Sequence, residues 1–523
     1  METTSWVLTI IILSTLHGIC TWKLYVTAGK KAWEAFIPVY NGIKLMEIIN
    51  RPKWWVLLLF IPVINLLLLP VIWIETLRSF GRKSSTDMWL GVLTFGFYIG
   101  YINYTQSTTY EPNRSTKPAT KALDTLGSIT FAIIVATFVH TYFIQPFVIP
   151  TSSLEKTLKI GDFLFVSKFH YGARTPMTTV AAPMVHDTLP IIKTKSYSSW
   201  PELPYFRFPA LQKIERNDIV VFNWPVDTVA KFRDNSGIKY YKPIDKKSNY
   251  VKRCVGIPGD EITIKNSDLY VNGKLAQLPH RAKPQFSYKV AFDGTNTTTT
   301  STLDATLREL ECSDGFGVND TRDTLFIRAL TDEGAKALKG ITGVKSVEKI
   351  LAKGTEKSIF PYTKNWNVDN LGPIKIPSQG ETVTLNAETV PFYKMIITEY
   401  EHHQLQVNGN EIRIDGKPAT SYTFNQDYYW MMGDNRHNSE DSRYWGFVPA
   451  DHIVGKPIFI WMSFDLNNVF QKPFLDRFRP ERFFTTVSGD GEPQSYFKYF
   501  LFALAGYFVW DYFNKKKKKK EEA

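Results

Sequence analysis

Residues 249–260, Asn-Tyr-Val-Lys-Arg-Cys-Val-Gly-Ile-Pro-Gly-Asp, have the pattern of a β-strand that runs into a tight turn. Side chains alternate between the two faces of a strand, so Lys252 lies on one face and Arg253 on the other. Burial lowers the pKa of a lysine, by up to about 3–5 units for a fully buried group, and a neutral amine near pH 7 can act as a general base. The strand alone leaves open which of the two cations is buried and which reaches solvent.

A hydroxyl-rich segment, Pro-Thr-Ser-Ser at residues 150–153, lies upstream of this strand and follows a long apolar run. Serine is a weak nucleophile unless a base takes its proton, so a catalytic serine here needs a base from elsewhere in the chain. A lone serine in such a segment is most often a turn or cap residue.

A third polar motif, Gly-Asp-Asn-Arg-His-Asn-Ser-Glu-Asp-Ser-Arg, occupies residues 433–443 between apolar runs. Its short polar side chains beside two arginines predict a buried turn that hydrogen bonds and ion pairs hold together. A calcium-binding loop is the alternative. However, the carboxylates do not alternate as in an EF-hand, and the arginines oppose a bound cation.

The three motifs lie within residues 146–495, which are rich in β-branched and aromatic residues and in turn signals. We predict a mainly β domain with strands at 163–167, 218–222, 250–255, 261–264, 269–271, 403–407 and 428–432. Helical periodicity is confined to the regions 305–311 and 332–338. Residues 277–400 have the character of an insertion, which we interpret as a packed addition in preference to a substrate-binding lobe.

Together the motifs resemble those of the type I signal peptidases, the bacterial Ser/Lys leader peptidases, in order and spacing. Residues 150–153 match the family's nucleophile motif, which consists of a proline, a small hydroxyl residue, any residue and the nucleophilic serine. The patterns K-R-x-V-G-x-P-G-D and G-D-N-R-x-N-S-x-D-S-R are intact at 252–260 and 433–443, and the strand R-G-D-I-V-V-F appears at 216–222 with asparagine in place of glycine. The resemblance implies a signal-peptidase-type β domain on membrane anchors, here in an enlarged multi-span form.

The resemblance also implies the roles of individual residues. Ser153 would be the nucleophile and Lys252 its general base, and the Ser153 backbone N–H and the Thr151 hydroxyl would hold the oxyanion. Ser439 would orient the lysine amine, and no metal or cofactor would be needed. The other supporting residues would be Gly433, Asp441 and Arg443, the last two as a structural pair behind the site.

Two residues depart from the family pattern, because Leu154 and Lys156 stand where methionine and proline are common. The leucine keeps the apolar character of its position. The lysine means that the turn after Ser153 need not follow the turn of the family, but it does not affect the assignment of the nucleophile. Ser153-Leu-Glu-Lys156 is also an S-x-x-K sequence, the signature of penicillin-binding transpeptidases and β-lactamases, but neither K-T-G nor S-D-N follows it. A membrane-anchored binding protein that kept the fold is the non-enzymatic alternative, against which the intact motifs argue.

Apolar runs at 5–22, 54–74, 88–104, 126–144 and 496–513 predict five transmembrane helices, since a span needs about 20 apolar residues. A buried core helix is the alternative for the short runs, above all the third and fifth. The first run lacks the basic n-region and the A-x-A site of a signal peptide, so we expect it to be retained.

Lysine and arginine are concentrated in residues 21–53 and 515–520, which we therefore place in the cytoplasm. Five spans then put residues 146–495 at the outer face of the cytoplasmic membrane, although the basic loop 76–87 would also lie outside. The predicted domains are a multi-span region 1–125, a transmembrane helix 126–145, an extracytoplasmic peptidase domain 146–495, and a C-terminal membrane helix with a basic tail, 496–523.

The composition of the 523-residue chain agrees with this organisation. A hydrophobic content of 44% excludes a disordered chain, and the three cysteines are too few for a disulfide framework or a zinc site. The net charge of +12 comes mainly from the segments predicted to be cytoplasmic, so it reports topology and not a nucleic-acid partner. The expected partners are preprotein signal peptides and membrane lipid, and the oligomeric state is left open.

Overall fold

The computed structural model describes residues 3–116, 121–229, 239–312, 315–409, 411–466, 473–489 and 491–521. The chain divides into two compact units. The helical unit comprises Met1–Phe143, Ala173–Phe208 and Thr228–Lys247. The β unit comprises Ile144–Gly172, Pro209–Asp227 and Ser248–Ala523.

The helices of the helical unit are α1 (Thr3–Thr27), α2 (Tyr40–Ile48), α3 (Trp55–Leu58), α4 (Ile64–Ser79), α5 (Ser85–Leu93), α6 (Phe97–Thr105) and α7 (Lys121–Tyr142). Within α1 and α7, the segments Val7–Thr27 and Asp124–Tyr142 are long and apolar enough to cross a membrane. They correspond to the first and fourth predicted spans.

The second and third predicted spans are not continuous helices. A break at Val63, whose φ is 68°, divides residues 54–74 between α3 and α4. A second break at Gly96, whose φ is 85°, divides residues 88–104 between α5 and α6. Hydropathy counts apolar residues but does not register such breaks, and the resulting helices are shorter than the roughly 20 residues of a span. The prediction of five spans is therefore wrong at these two places.

Basic residues from three segments of the helical unit meet around the carboxylate of Glu75. Its oxygens lie 3.0 Å from Arg51, 2.7 Å from Arg78 and 2.6 Å from Arg114. Segments that share one carboxylate cannot lie on opposite sides of a membrane. The contact therefore brings Arg78, which lies in the basic stretch 76–87, next to the segments of Arg51 and Arg114.

The strands of the β unit are β1 (Ile144–Val148), β2 (Asp162–Ser167), β3 (Ile219–Asn223), β4 (Asn249–Gly256), β5 (Glu261–Lys265), β6 (Asp268–Val271), β7 (Lys274–Leu275), β8 (Gln285–Phe292), β9 (Phe316–Val318), β10 (Thr324–Thr331), β11 (Val344–Lys349), β12 (Leu371–Lys375), β13 (Thr382–Thr384), β14 (Leu405–Asn408), β15 (Glu411–Ile414), β16 (Lys417–Pro418), β17 (Ser421–Thr423), β18 (Tyr428–Met432), β19 (Val448–Pro449), β20 (Ile453–Ser463) and β21 (Thr485–Thr486). Its helices are α8 (Thr297–Glu309), α9 (Asp332–Lys339), α10 (Val390–Met395), α11 (Ser442–Trp445) and α12 (Phe497–Glu521). The mainly β fold is confirmed, and each predicted strand is present with its ends within two residues of the prediction.

The largest sheet has the order β1-β2-β20-β3-β4-β18-β19, with β21 paired to β20. Its strands pair antiparallel, and β4 lies in the interior between β3 and β18. One hydrophobic core, which includes Ile149, Leu154 and Val221, covers one face of β3, and a second, which includes Val220 and Cys254, covers the other face. Both faces of β4 are therefore buried.

Residues 285–349 form a module of their own inside the predicted insertion. Its elements follow the order β8-α8-β9-β10-α9-β11, and its antiparallel sheet has the order β11-β8-β10-β9. This is the split β-α-β, or ferredoxin-like, arrangement. The core of this inserted subdomain lies between the sheet and the two helices and includes Phe286, Val290, Leu307 and Ile327.

From Phe497 onward, the fifth predicted span (496–513) lies in α12, a helix of 25 residues. Among the described residues, α12 is not one of the two helices that meet the length and hydropathy requirement for a membrane span. Lysines make up much of its second half, which lowers its mean hydropathy.

Candidate active site

Ser153 lies in a 3₁₀ turn, Ser152–Leu154, that follows β1 and packs beside β4. The neighbouring Leu154 is buried in a hydrophobic core and anchors the turn, which leaves Ser153 only 7% exposed. Thr151 precedes the turn in an extended conformation and is exposed. The first amides of a helical turn have no acceptor within that turn, so such groups can bind an anionic oxygen.

Lys252 projects from β4 and is 3% exposed. Its Nζ lies 5.7 Å from the ring centroid of Tyr250, and among the described residues no carboxylate lies within ion-pair distance of it. Burial lowers the pKa of Lys252 to about 8, although the negative charges of Asp441 and Glu440 oppose this shift. The amine is therefore poised to change its protonation state not far above neutral pH.

Arg253, on the opposite face of β4, is also buried and is 2% exposed. Its Nε and Nη2 donate to the two carboxylate oxygens of Asp434 at 2.8 and 2.6 Å, and the Thr157 hydroxyl donates to the same carboxylate at 2.7 Å. Burial alone would raise the pKa of Asp434, but the Arg253 charge outweighs it and lowers that pKa. The structure thus answers the question that the strand left open, because neither cation of β4 reaches solvent.

The motif at residues 433–443, which we call the signature loop, binds the turn Ser152–Leu154. Because this turn carries the predicted nucleophile, Ser153, we call it the nucleophile turn. The Asn435 N–H donates to the Ser153 carbonyl at 3.1 Å, and the Asn438 side chain donates to the Ser152 hydroxyl at 3.1 Å. A Cβ atom at Gly433 would lie 2.2 Å from Ser439 Oγ and 2.6 Å from the Ser153 carbonyl oxygen. Only glycine therefore lets the loop bring Ser439 and Ser153 together.

Asp441 and Arg443 form a buried ion pair behind this junction. Arg443 Nε and Nη2 donate to the two carboxylate oxygens of Asp441 at 2.9 and 2.8 Å. The same carboxylate accepts from the Gly433 N–H at 3.1 Å, and Arg443 Nη2 also donates to the Arg436 carbonyl at 2.6 Å. The pair thus holds both ends of the signature loop.

The structure brings the predicted catalytic groups into one region but does not join them by hydrogen bonds. Among the described residues, no hydrogen bond links Ser153 Oγ, Lys252 Nζ and Ser439 Oγ, and the buried Ser439 hydroxyl has no partner. Catalytic hydrogen bonds are often long in the absence of substrate and tighten only when it binds.

Arg436 differs from the expected set of paired charges in the signature loop. It is buried, and among the described residues its Nε and Nη2 have no hydrogen-bond partner. Burial lowers its pKa to about 10, although the negative charge of Asp434 opposes this shift. The Asp441–Arg443 pair thus agrees with the predicted ion-paired, buried turn, and Arg436 is a buried arginine of that turn outside this pair.

The S-x-x-K alternative required Ser153 and Lys156 one helical turn apart. Instead Lys156 has a φ of 70°, a left-handed conformation outside a helix, and its Nζ donates to the carbonyls of Leu310 and Glu311 at 2.5 and 2.9 Å. The transpeptidase interpretation is therefore wrong. Proline cannot adopt a positive φ, so the departure from the family pattern at this position reflects a different turn.

Gln285 is a site residue that sequence reasoning missed. It is 1% exposed, its side-chain amide donates to the Glu155 carbonyl at 2.6 Å, and its N–H donates to the Asp434 carbonyl at 2.9 Å. It lies far along the chain from both partners, in the stretch interpreted as a packed addition. No local pattern could have indicated these contacts.

Residues 122–324 and 336–462 match the family described as signal peptidase, peptidase S26. The match covers more than half of the chain and includes the nucleophile turn, β4 and the signature loop. It also runs through most of the inserted subdomain, which the motifs alone had left uncovered. Residues 33–113 match a family of unknown function.

Curated relatives named signal peptidase I share this region. The protein of Buchnera aphidicola subsp. Acyrthosiphon pisum is 27% identical over 364 residues, 68% of this chain and 80% of that protein. Those of Haemophilus influenzae and Helicobacter pylori (strain J99) are each 24% identical and cover 72% and 70% of this chain, and 79% and 91% of their own lengths.

Proposed function

The chain belongs to the peptidase S26 family of signal peptidases, and from that premise we propose that Ser153 is its nucleophile and Lys252 its general base. It is a signal peptidase I serine endopeptidase, an enzyme of signal peptide removal. The observation that carries the assignment of the base is the environment of Lys252, which is buried beside the nucleophile turn with no ion-pair partner among the described residues.

A proton acceptor for a serine hydroxyl must be partly neutral at the working pH. A lysine with its usual pKa of about 10.4 is almost fully protonated at pH 7. With a pKa of about 8, Lys252 is neutral in about a tenth of the molecules at pH 7 and in about half at pH 8. Its burial therefore supports the role of base without help from a histidine.

In the proposed reaction Ser153 Oγ attacks the scissile carbonyl carbon while Lys252 Nζ accepts the hydroxyl proton. The tetrahedral intermediate collapses, the lysine ammonium protonates the leaving amine, and the acyl group stays on Ser153 as an ester. A water molecule, deprotonated by Lys252, then attacks the ester and releases the new carboxyl terminus. The Ser153 N–H and the exposed Thr151 hydroxyl would stabilise the oxyanion, and a lost donor of this kind costs about 10²–10³ in kcat.

The contacts of the supporting residues are consistent with this mechanism. Ser439 has a buried hydroxyl without a partner among the described residues, so it is available to the lysine amine. Asp441 and Arg443 fix the signature loop, and Gly433 permits its close approach to the nucleophile turn. We assign these three residues a positioning role.

We further propose that the substrate is the signal peptide of an exported preprotein, cleaved at the outer face of the cytoplasmic membrane. Helices α1 and α7 would cross the bilayer, the basic segment 28–53 and the lysine-rich tail would be cytoplasmic, and residues 146–495 would be extracytoplasmic. This keeps the domains at 1–125, 126–145, 146–495 and 496–523, with α12 as a third crossing. An active site just outside a membrane helix meets peptide bonds just beyond another such helix, where a signal peptide is cut.

Cleavage of a preprotein by the detergent-solubilised full-length enzyme tests the assignment of the nucleophile and the base. We expect Ser153→Ala and Lys252→Ala to abolish cleavage while keeping the melting temperature of a folded protein. Ser301→Ala, on the exposed surface of α8, is the matched control and should cleave at the wild-type rate. A folded Ser153→Ala or Lys252→Ala variant with wild-type activity would refute the mechanism.

Protease accessibility in intact spheroplasts tests the topology. Protease added outside should digest residues 146–495 and spare an epitope placed at the lysine-rich C-terminus. Digestion of the epitope in intact spheroplasts would show that α12 does not cross as proposed.

A further inference from the structure

We propose that the inserted subdomain, residues 285–349, is a clamp that sets the nucleophile turn against the signature loop, with Lys156 and His437 as positioning residues. The inference rests on the proposed roles of Ser153 and Lys252. It replaces the interpretation of this region as a packed addition.

The first contact of the clamp is Gln285, the first residue of β8. It joins both catalytic segments at once, since its side-chain amide donates to the Glu155 carbonyl and its backbone exchanges hydrogen bonds with Asp434 and Arg436. The two backbone bonds are 2.9 and 2.8 Å long. The first residue of the inserted subdomain is thus hydrogen-bonded directly to both segments.

The second contact lies three residues after the nucleophile. Lys156 Nζ donates to the carbonyls of Leu310 and Glu311, which immediately follow the last turn of α8, and Lys159 Nζ lies 2.6 Å from a carboxylate oxygen of Glu311. Cations are stabilised at helix C-termini because the last carbonyls receive no hydrogen bond within the helix and lie at the negative end of its dipole. The end of α8 therefore holds the segment that directly follows the nucleophile turn.

The third contact lies within the signature loop, two residues before Ser439. His437 Nδ1 accepts from the Ser287 N–H of β8 at 2.9 Å, so in the neutral ring the proton lies on Nε2. Nε2 donates to Asp369 Oδ1 at 2.8 Å, and the buried Asp369 carboxylate also accepts from the Ala352 N–H at 2.7 Å. The imidazole thus fastens the signature loop to β8 and to the segment that follows the inserted subdomain.

These contacts act on the two segments whose spacing the reaction depends on. One set reaches residues 155–159, directly after the nucleophile turn, and the other reaches residues 434–437 of the signature loop. Small displacements of reacting groups are costly, since a misplacement of about 1 Å can lower a rate by about 10²-fold. Loss of a clamp contact should therefore lower kcat, whereas KM for the preprotein should hardly change.

The test compares Lys156→Met, His437→Ala and the conservative Lys156→Arg in the full-length enzyme, with kcat and KM measured separately on one preprotein. We expect Lys156→Met and His437→Ala to lower kcat by about 10- to 100-fold with KM within about twofold of wild type, and Lys156→Arg to restore most of the activity. Arg308→Ala is the matched control. Arg308 lies on the same helix α8, is exposed, and forms its ion pair with Asp304 of the same helix, so its replacement should change neither constant.

Two other outcomes would overturn the clamp. A raised KM with an unchanged kcat would make the inserted subdomain a substrate-binding lobe, and a lower melting temperature with both constants unchanged would make it a scaffold. Lys156 is partly exposed, so Lys156→Met carries the test if His437→Ala does not fold. Ser153→Ala is assayed in parallel. Residual cleavage by Ser153→Ala would refute the proposed function itself, whereas inactive Ser153→Ala beside fully active clamp variants would refute the clamp alone.

Discussion

The two faces of β4 each bury one positive charge, and they treat it in opposite ways. On one face Arg253 is met by both oxygens of Asp434, which is itself fully buried. On the other face Lys252 is buried with its amine beside the ring of Tyr250 and, within the described part of the chain, has no ion-pair partner. Adjacent residues of one strand therefore have opposite shifts of pKa, with that of Arg253 raised and that of Lys252 lowered.

The difference shows how two adjacent residues of one strand can have a structural role and a chemical role. A buried cation with a bidentate partner stays charged and ties two segments together, and removal of either partner leaves an uncompensated charge. A buried cation without a partner is destabilised in its charged form and becomes a base. The register of β4 against β3 and β18 decides which residue receives which environment.

The largest expected effect is the loss of activity in Lys252→Arg. Arginine keeps the charge but cannot act as a base near neutral pH, because its pKa lies above about 12. We expect kcat to fall by about 10²–10⁴-fold, the usual contribution of a general base. Preprotein cleavage assays quenched at set times measure kcat, and circular dichroism verifies the fold. Activity within a factor of two of wild type would show that the two cations of β4 do not differ in chemical role.

The next effect is on stability. Arg253→Met leaves Asp434 buried without its partner, and breaking a buried pair in this way costs about 3–5 kcal/mol. The change should appear as a lower midpoint of urea unfolding. Adding Asp434→Asn should recover part of the loss. A double variant no more stable than Arg253→Met would argue against the ion pair as the cause.

Lys252→Met should change stability with the opposite sign. A pKa of about 8 in the folded state against 10.5 corresponds to a penalty of about 3 kcal/mol below pH 8, since one pKa unit is worth about 1.4 kcal/mol. Because the folded pKa is depressed, the penalty is complete below about pH 8 and disappears as the pH rises toward 10.5. Urea unfolding at pH 7 and pH 10 should therefore show a stabilised variant at pH 7 and a smaller difference at pH 10. Equal stability of wild type and variant at pH 7 would contradict the lowered pKa of Lys252 on which its role as a base depends.

The smallest effect is the pH dependence of the wild-type enzyme. Below the pKa of Lys252, kcat/KM should fall by about tenfold for each pH unit, because only the neutral amine accepts the proton. The acid limb should bend near pH 8. An initial-rate profile from pH 6 to pH 9 that is flat would contradict a lysine base and would leave no functional difference between the two faces of β4.

Local patterns predicted much of the β unit. The strand at Tyr428–Met432 lies where alternation places it, and the helix Asp332–Lys339 follows its 3.6-residue periodicity. The spans at 54–74 and 88–104 failed, since hydropathy sums over a window in which breaks at Val63 and Gly96 have no weight. The contacts of Lys156 and His437 were not predictable, because each depends on where a distant element of the inserted subdomain docks.

The amino-acid sequence alone determined the chemical inventory of the site, its order along the chain and the strand that carries Lys252, because motif spacing and strand alternation are local properties. Only the tertiary structure decided that both cations of β4 are buried, that Asp434 pairs with Arg253, and that Lys252 remains without such a partner among the described residues. It also decided that the inserted subdomain contacts both the segment after Ser153 and the signature loop. Burial and pairing depend on which segments meet in space, and a pKa follows from that environment and not from the residue type.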